Sequence, residues 1–141
     1  MAFWQYETLI SPNTEVTYHK ARIVVSESLI KKKVADDDNS LQIAEIFLNY
    51  AQKRSIYFDN NFTHKTFLEY YTAYWLYSNI EKKHLINERN NYISKYISNP
   101  FWFIVLELLL NLIDKDQPDT DILDDIISQH ISNKNSFPFL L

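Results

Sequence analysis

The sequence predicts a mainly α-helical protein, with a winged-helix portion carrying one short β-hairpin over residues 1–79 and a helical subdomain over residues 80–141. Three observations predict this class. Apolar residues recur at helical spacing along most of the chain. Between residues 55 and 64, two short aromatic and β-branched runs flank Asp59-Asn60-Asn61, the composition of a hairpin turn. Two helices followed by that wing make a winged-helix pattern, here with a further helix appended after it. A chain of 141 residues is sized for one domain, or for two small subdomains packed together.

Residues 1–12 hold an aromatic cluster, Phe3, Trp4 and Tyr6, closed by the loop signal Ser11-Pro12-Asn13. From 16 to 34 the positions Val16, Ile23, Val24, Leu29 and Ile30 fit a helix. The polar break Asp36-Asp37-Asp38-Asn39-Ser40 offers Asn39 or Ser40 as the cap of the next helix. That helix, 41–53, places Leu41, Ala44, Phe47, Leu48 and Ala51 on one core-facing stripe. After the hairpin, Thr66-Phe67-Leu68-Glu69 reads as a capping box, with threonine as the cap and glutamate reaching back to the cap's amide. The helix it opens runs to about Asn79, and its Phe67, Tyr71, Tyr74 and Trp75 read as core or subdomain interface.

A polar helix follows over 83–97. Asn99-Pro100 then supplies a cap and a first-turn proline for an apolar helix through Ile113. Residues 114–119 form a loop around Pro118, and a last amphipathic helix covers 121–131. The tail Phe137-Pro138-Phe139-Leu140-Leu141 falls into no class.

Composition closes off several functions. Glycine is absent, and phosphate-cradling loops need glycine for positive φ and close backbone approach, so neither a P-loop nor a dinucleotide fingerprint exists in this chain. No serine can sit in a glycine-flanked nucleophile elbow for the same reason. The absence of cysteine removes disulfide, thiolate and zinc-knuckle chemistry and suits a reducing cytoplasm. A net charge of −4 argues against sequence-independent nucleic-acid binding, although Lys31-Lys32-Lys33 is a small basic patch. The N-terminus lacks the basic and apolar regions of a signal peptide. The apolar segment 101–113, interrupted by Glu107 and Asn111, is short of the roughly 20 residues of a membrane span. Apolar on nearly every side, it needs cover all round, and self-association would supply it.

No catalytic constellation emerges. The histidines His19, His64, His84 and His130 lie far apart with no two-histidine ligand spacing, so no metal site is expected. Asp36-Asp37-Asp38 lacks the glycine and terminal glutamate of a calcium loop and reads as a solvated loop. The cluster Asp114, Asp116, Asp119, Asp121, Asp124 and Asp125 lies where a loop and a helix N-terminus favour carboxylates anyway. His64 has two readings: a junction residue bonding local backbone, or a group that meets a ligand. Lys65 beside it reads as solvated.

The run Phe62-Thr63-His64-Lys65-Thr66-Phe67-Leu68-Glu69-Tyr70-Tyr71-Thr72-Ala73-Tyr74-Trp75-Leu76 resembles a motif of NACHT-type STAND NTPases, ATP-driven switches of innate immunity and antiphage defence. Phe62, His64, Thr66, Phe67, Glu69, Tyr70, Ala73 and Leu76 fall in that family's register, with Leu68 where glutamine is usual. The segment 46–58 is similar to the helix and strand that precede the motif, and Asn99-Pro100-Phe101-Trp102 onward to the opening of the family's next helical domain. The resemblance covers roughly residues 40–130.

What this resemblance implies is a winged helix and following helical domain from such a protein, without its P-loop nucleotide-binding domain. His64 would be the sensor that contacts the phosphate of ADP in the closed state, with Phe62, Thr66, Phe67, Glu69, Tyr70 and Ala73 as its structural motif. ADP and ATP would be ligands of the parent protein, no cofactor would be held by this chain alone, and the partner would be a P-loop domain in cis or in trans. The implied role is a non-catalytic, cytoplasmic regulatory module, with no membrane attachment. The alternative is a winged-helix nucleic-acid-binding regulator, against which the acidic balance and the aromatic rather than basic recognition helix argue.

Overall fold

Eight residues without a cap signal, Ala2–Leu9, fold as the first helix, α1, where the sequence shows only an aromatic cluster. The structure, a computed structural model, describes residues 1–9, 11, 15–118 and 121–130. Along these run α2 (Tyr18–Lys31), α3 (Ser40–Lys53), β1 (Tyr57–Phe58), β2 (Asn61–Phe62), α4 (Lys65–Asn79), α5 (Ile86–Tyr96), α6 (Phe103–Asp116) and α7 (Ile122–His130). Short 3₁₀ turns at Glu81–Lys83 and Pro100–Trp102 lead into α5 and α6. The described fold is therefore mainly helical with one two-stranded antiparallel hairpin, as the sequence predicts. The tail from residue 137 lies outside the described residues.

The chain forms two compact units, Met1–Leu68 and Glu69–Leu141, so the division falls inside α4 rather than after residue 79. In the first unit, Thr17 caps α2: its backbone is extended and its hydroxyl accepts from the Lys20 N–H at 3.2 Å. α2 packs against α3 through small side chains, Ala21 facing the core with Val25, and Ala44, Leu48 and Ala51 from α3. Buried Ser26 donates to Ser40 Oγ at 2.8 Å, tying the start of α3 to α2. The Asn39 side chain does not cap α3; it accepts instead from the Asp36 N–H at 3.0 Å. Tyr57 of β1 completes this core, with Trp4, Leu29 and Phe62 packed at its edge. The stripe expected on α3 is only partly inside: Leu41 and Phe47 are exposed, because two small alanines and one leucine suffice to cover the narrow contact with α2.

In the second unit, Asn99 accepts from the Phe101 N–H at 3.1 Å and Pro100 opens the turn, the cap-and-proline start expected there. α6 buries Val105, Leu106, Leu109 and Ile113, while Ile104 stays exposed. The segment is thus one-sided rather than covered all round, and it extends past Ile113 to Asp116. No helix among the described residues is long and apolar enough to cross a membrane.

A chain without glycine still needs the left-handed turns that glycine normally makes. Three helical ends close in Schellman motifs with L-residues at the left-handed position: Lys33, Ser55 and His84, at φ of 56°, 55° and 56°. The bonds are those of the motif. Val34 N–H reaches Leu29 C=O at 2.9 Å, Ile56 N–H reaches Ala51 C=O at 3.0 Å, and Leu85 N–H reaches Ile80 C=O at 3.1 Å. Each Cβ there crowds the following carbonyl, a strain of about 1–2 kcal/mol, of which glycine's extra chain entropy would give back about half. We expect Lys33→Gly and Ser55→Gly each to raise stability by about 0.5–1 kcal/mol. Urea unfolding reads this directly, and a lowered midpoint for both would show that the strain is relieved in some other way.

Candidate functional site

The hairpin delivers His64 to the start of α4. Tyr57 pairs with Phe62 and Phe58 with Asn61, across a turn in which Asp59 and Asn60 take φ of 48° and 60°. Asp and Asn tolerate that region better than other L-residues, so the turn residues legible in the sequence are those the geometry requires. The fully buried Gln5 side chain donates to Asn60 C=O at 3.1 Å and to Asn61 Oδ1 at 3.2 Å, pinning the turn to α1. Thr63 extends the ladder, its N–H bonding Ile56 C=O at 3.1 Å and its hydroxyl bonding Ser55 C=O. Burial pushes the Tyr57 phenol up to about 12, so it remains neutral at the edge of this core.

His64 follows directly and occupies the N-cap position of α4. Its carbonyl accepts from the N–H groups of Phe67 at 3.1 Å and Leu68 at 3.3 Å. The side chain is exposed, and its ring meets Phe67 edge-on with centroids 5.3 Å apart. The imidazole makes no hydrogen bond among the described residues. Because α4 begins at Lys65, Thr66 is the second helical residue and not the cap, so the expected capping box does not open the helix.

The other motif residues divide between core and surface. Phe62 meets Tyr57 edge-on at 5.4 Å, at the edge of the first unit's core. Glu69 and Ala73 are buried, whereas Phe67 and Tyr70 are exposed. The aromatic stripe expected inside is largely outside: Phe67, Tyr71 and Tyr74 are 41–47% exposed, and Trp75 is half-buried. The buried face of α4 is instead Leu68, Thr72, Ala73, Leu76 and Tyr77. Tyrosine makes this possible, since its ring can lie on the surface while its hydroxyl meets water. Tyr70 and Tyr74 stack at 6.2 Å along that exposed face.

A second polar cluster, not singled out by the sequence, lies inside the second unit. Arg89 Nη1 donates to both Glu81 oxygens, at 3.1 and 3.4 Å, and both side chains are almost fully buried. Arg89 Nε donates to Asn90 Oδ1 at 3.1 Å. Nearby His130 is 5% exposed, with Nδ1 3.5 Å from Ser94 Oγ and Nε2 lacking a hydrogen-bond partner among the described residues. In sequence these are scattered charges on polar helices; only the fold makes them neighbours. Among the described residues no three His, Asp or Glu side chains are placed to hold a metal ion.

Burial, and then the Arg89 charge, hold the His130 imidazole below its ordinary value. The folded form therefore binds fewer protons than the unfolded one, and stability falls as pH drops below about 6.5, the unfolded value. The slope attributable to His130 is at most about 1.4 kcal/mol per pH unit. We expect His130→Gln to flatten the stability profile between neutral and mildly acid pH, as measured by urea unfolding. An unchanged slope would assign that pH dependence to other groups.

Comparison with protein-family models, with curated proteins and with solved structures finds no match.

Proposed function

We propose that this chain is a non-catalytic regulatory module of a NACHT-type STAND ATPase switch, of the kind used in antiphage or innate-immune defence. Its task is to latch the ADP-bound state through His64. The observation that carries this reading is the placement of that residue. His64 stands exposed at the start of α4, directly after a hairpin held to α1 and the first core, with its imidazole engaged by nothing but the edge of Phe67. A rigid hairpin followed by an uncommitted imidazole supplies a hydrogen-bond donor to a phosphate at a fixed place, stronger when protonated. The helix N-terminus behind it favours an anion there.

The glycine-rich loop that cradles the remaining phosphate oxygens must come from a P-loop domain in cis or in trans, because this chain has no glycine. Nucleotide exchange that removes the contact releases the winged helix, a two-state equilibrium biased by differential contacts. Titration calorimetry with ADP and ATP tests this, on the chain alone and mixed with a P-loop domain of that class. The chain alone is expected to bind neither nucleotide. In the mixture it should tighten ADP binding, and His64→Ala should weaken it about tenfold or more. Tight ADP binding by the isolated chain would overturn the reading, and salt-dependent DNA binding would favour a nucleic-acid-binding regulator instead.

A further inference from the structure

The buried ion pair of the second unit borders a pocket. Glu81, His84, Arg89 and Asp125 line a cavity of about 160 Å³, to which Gln117 and Gln129 also contribute. Glu81 and Arg89 are each 6% exposed. The Glu81 carboxylate is committed, since both of its oxygens accept from Arg89 Nη1. Arg89 is not exhausted. Asn90 takes Nε and Glu81 takes Nη1, whereas Nη2 has no hydrogen-bond partner among the described residues.

A guanidinium holds its donors in a rigid fork, so fixing Nε and Nη1 also fixes the direction of the Nη2 donors. Little side-chain entropy remains to be lost when an anion binds there. Asp125 supplies the opposite sign: it is exposed and forms no ion pair among the described residues. The pocket is thus lined by Arg89, with its Nη2 donors unspent, and by Asp125, with its carboxylate unpaired, beside the apolar Ile86 and Ile122.

A single anion would meet the Asp125 charge and a single cation would meet the guanidinium, so neither uses the site fully. We propose that this pocket binds a free α-amino acid with a small or aliphatic side chain. Its carboxylate is taken by Arg89 Nη2 and its ammonium by Asp125. The cavity is smaller than the roughly 300 Å³ at which drug-sized ligands begin to be enclosed, which fits a ligand of that size.

The test is titration of the whole chain with glycine, L-alanine, L-serine, L-valine and L-leucine, followed by two-dimensional amide NMR. Controls are the N-acetylated and methyl-ester forms of any amino acid that binds. At least one free amino acid should bind and shift amides around Glu81 and Asp125. Blocking either end, or substituting Asp125→Asn on the exposed side of the pocket, should weaken it about tenfold or more. No binding up to about 10 mM overturns the proposal. So does equal affinity for the blocked forms, or an unaltered affinity in a folded Asp125→Asn chain.

Discussion

Glu81→Ala is expected to destabilise the protein by about 3–5 kcal/mol, a large share of the roughly 5–15 kcal/mol that holds a domain together. The reason is what the substitution leaves behind. Arg89 is 6% exposed, and its Nη1 loses both of its acceptors when the carboxylate is removed. A guanidinium cannot shed its proton in a folded protein, so the charge stays, buried and uncompensated. Removing the other partner has a different outcome. In Arg89→Met the stranded carboxyl can take up a proton and become neutral, so its cost should be smaller and should shrink as pH falls. Replacing both, as Glu81→Leu with Arg89→Met, removes the two desolvation costs together and should recover most of the stability.

Urea unfolding of Glu81→Leu, Arg89→Met and the double variant closes a mutant cycle and isolates the coupling. Additive losses would mean that the two charges do not depend on each other. The pair also has a positional role. It links the 3₁₀ turn at Glu81–Lys83 to the first turns of α5 across a left-handed His84, the point where the chain changes direction without glycine. Amide exchange in the Glu81 variant should therefore quicken first at the Leu85 and His84 N–H groups, whose bonds to Ile80 and Glu81 carbonyls close that turn.

Local chemistry was readable in the sequence wherever neighbours along the chain decide the conformation. The Asp59-Asn60 turn, the Asn99-Pro100 start and the hairpin's position all rest on residues that act within a few positions of themselves. The failures share a different origin. α1 shows no cap signal in its sequence, and its buried Gln5 donates to residues more than fifty positions away. On α4, counting tyrosine as apolar assigned the wrong face. Thr72 and Ala73 are small enough to pack closely and are fully buried, while Tyr70, Tyr71 and Tyr74 stand outside. Glu81, Arg89 and His130 read as three isolated polar residues because burial of an ion pair is a property of tertiary packing, not of spacing. For His64 the fold supplied its exposure and its place at the helix start. The proposed nucleotide role joins that placement to the resemblance of the motif.

Trp102→Ala should cost a similar amount, about 3–5 kcal/mol, by a different route. Trp102 is fully buried and lies almost parallel to Tyr96, with ring centroids 3.6 Å apart and 11° between planes. It closes the 3₁₀ turn that begins at Pro100, so its ring joins the end of α5 to the beginning of α6. Truncation deletes the largest fully buried side chain described and leaves Tyr96 without the face it stacks on. The cavity would be lined by groups held on two helices whose connection is only a few residues long, which limits how far it can collapse. Trp102→Phe retains an aromatic face and should lose about half as much, the remainder coming from the missing second ring. The pair of variants separates packing from the local turn. Asn99 still caps Phe101 in both, so a turn held by its own hydrogen bonds predicts small, equal losses. A loss that scales with ring area instead places the stability of this corner in the stacked contact between Trp102 and Tyr96.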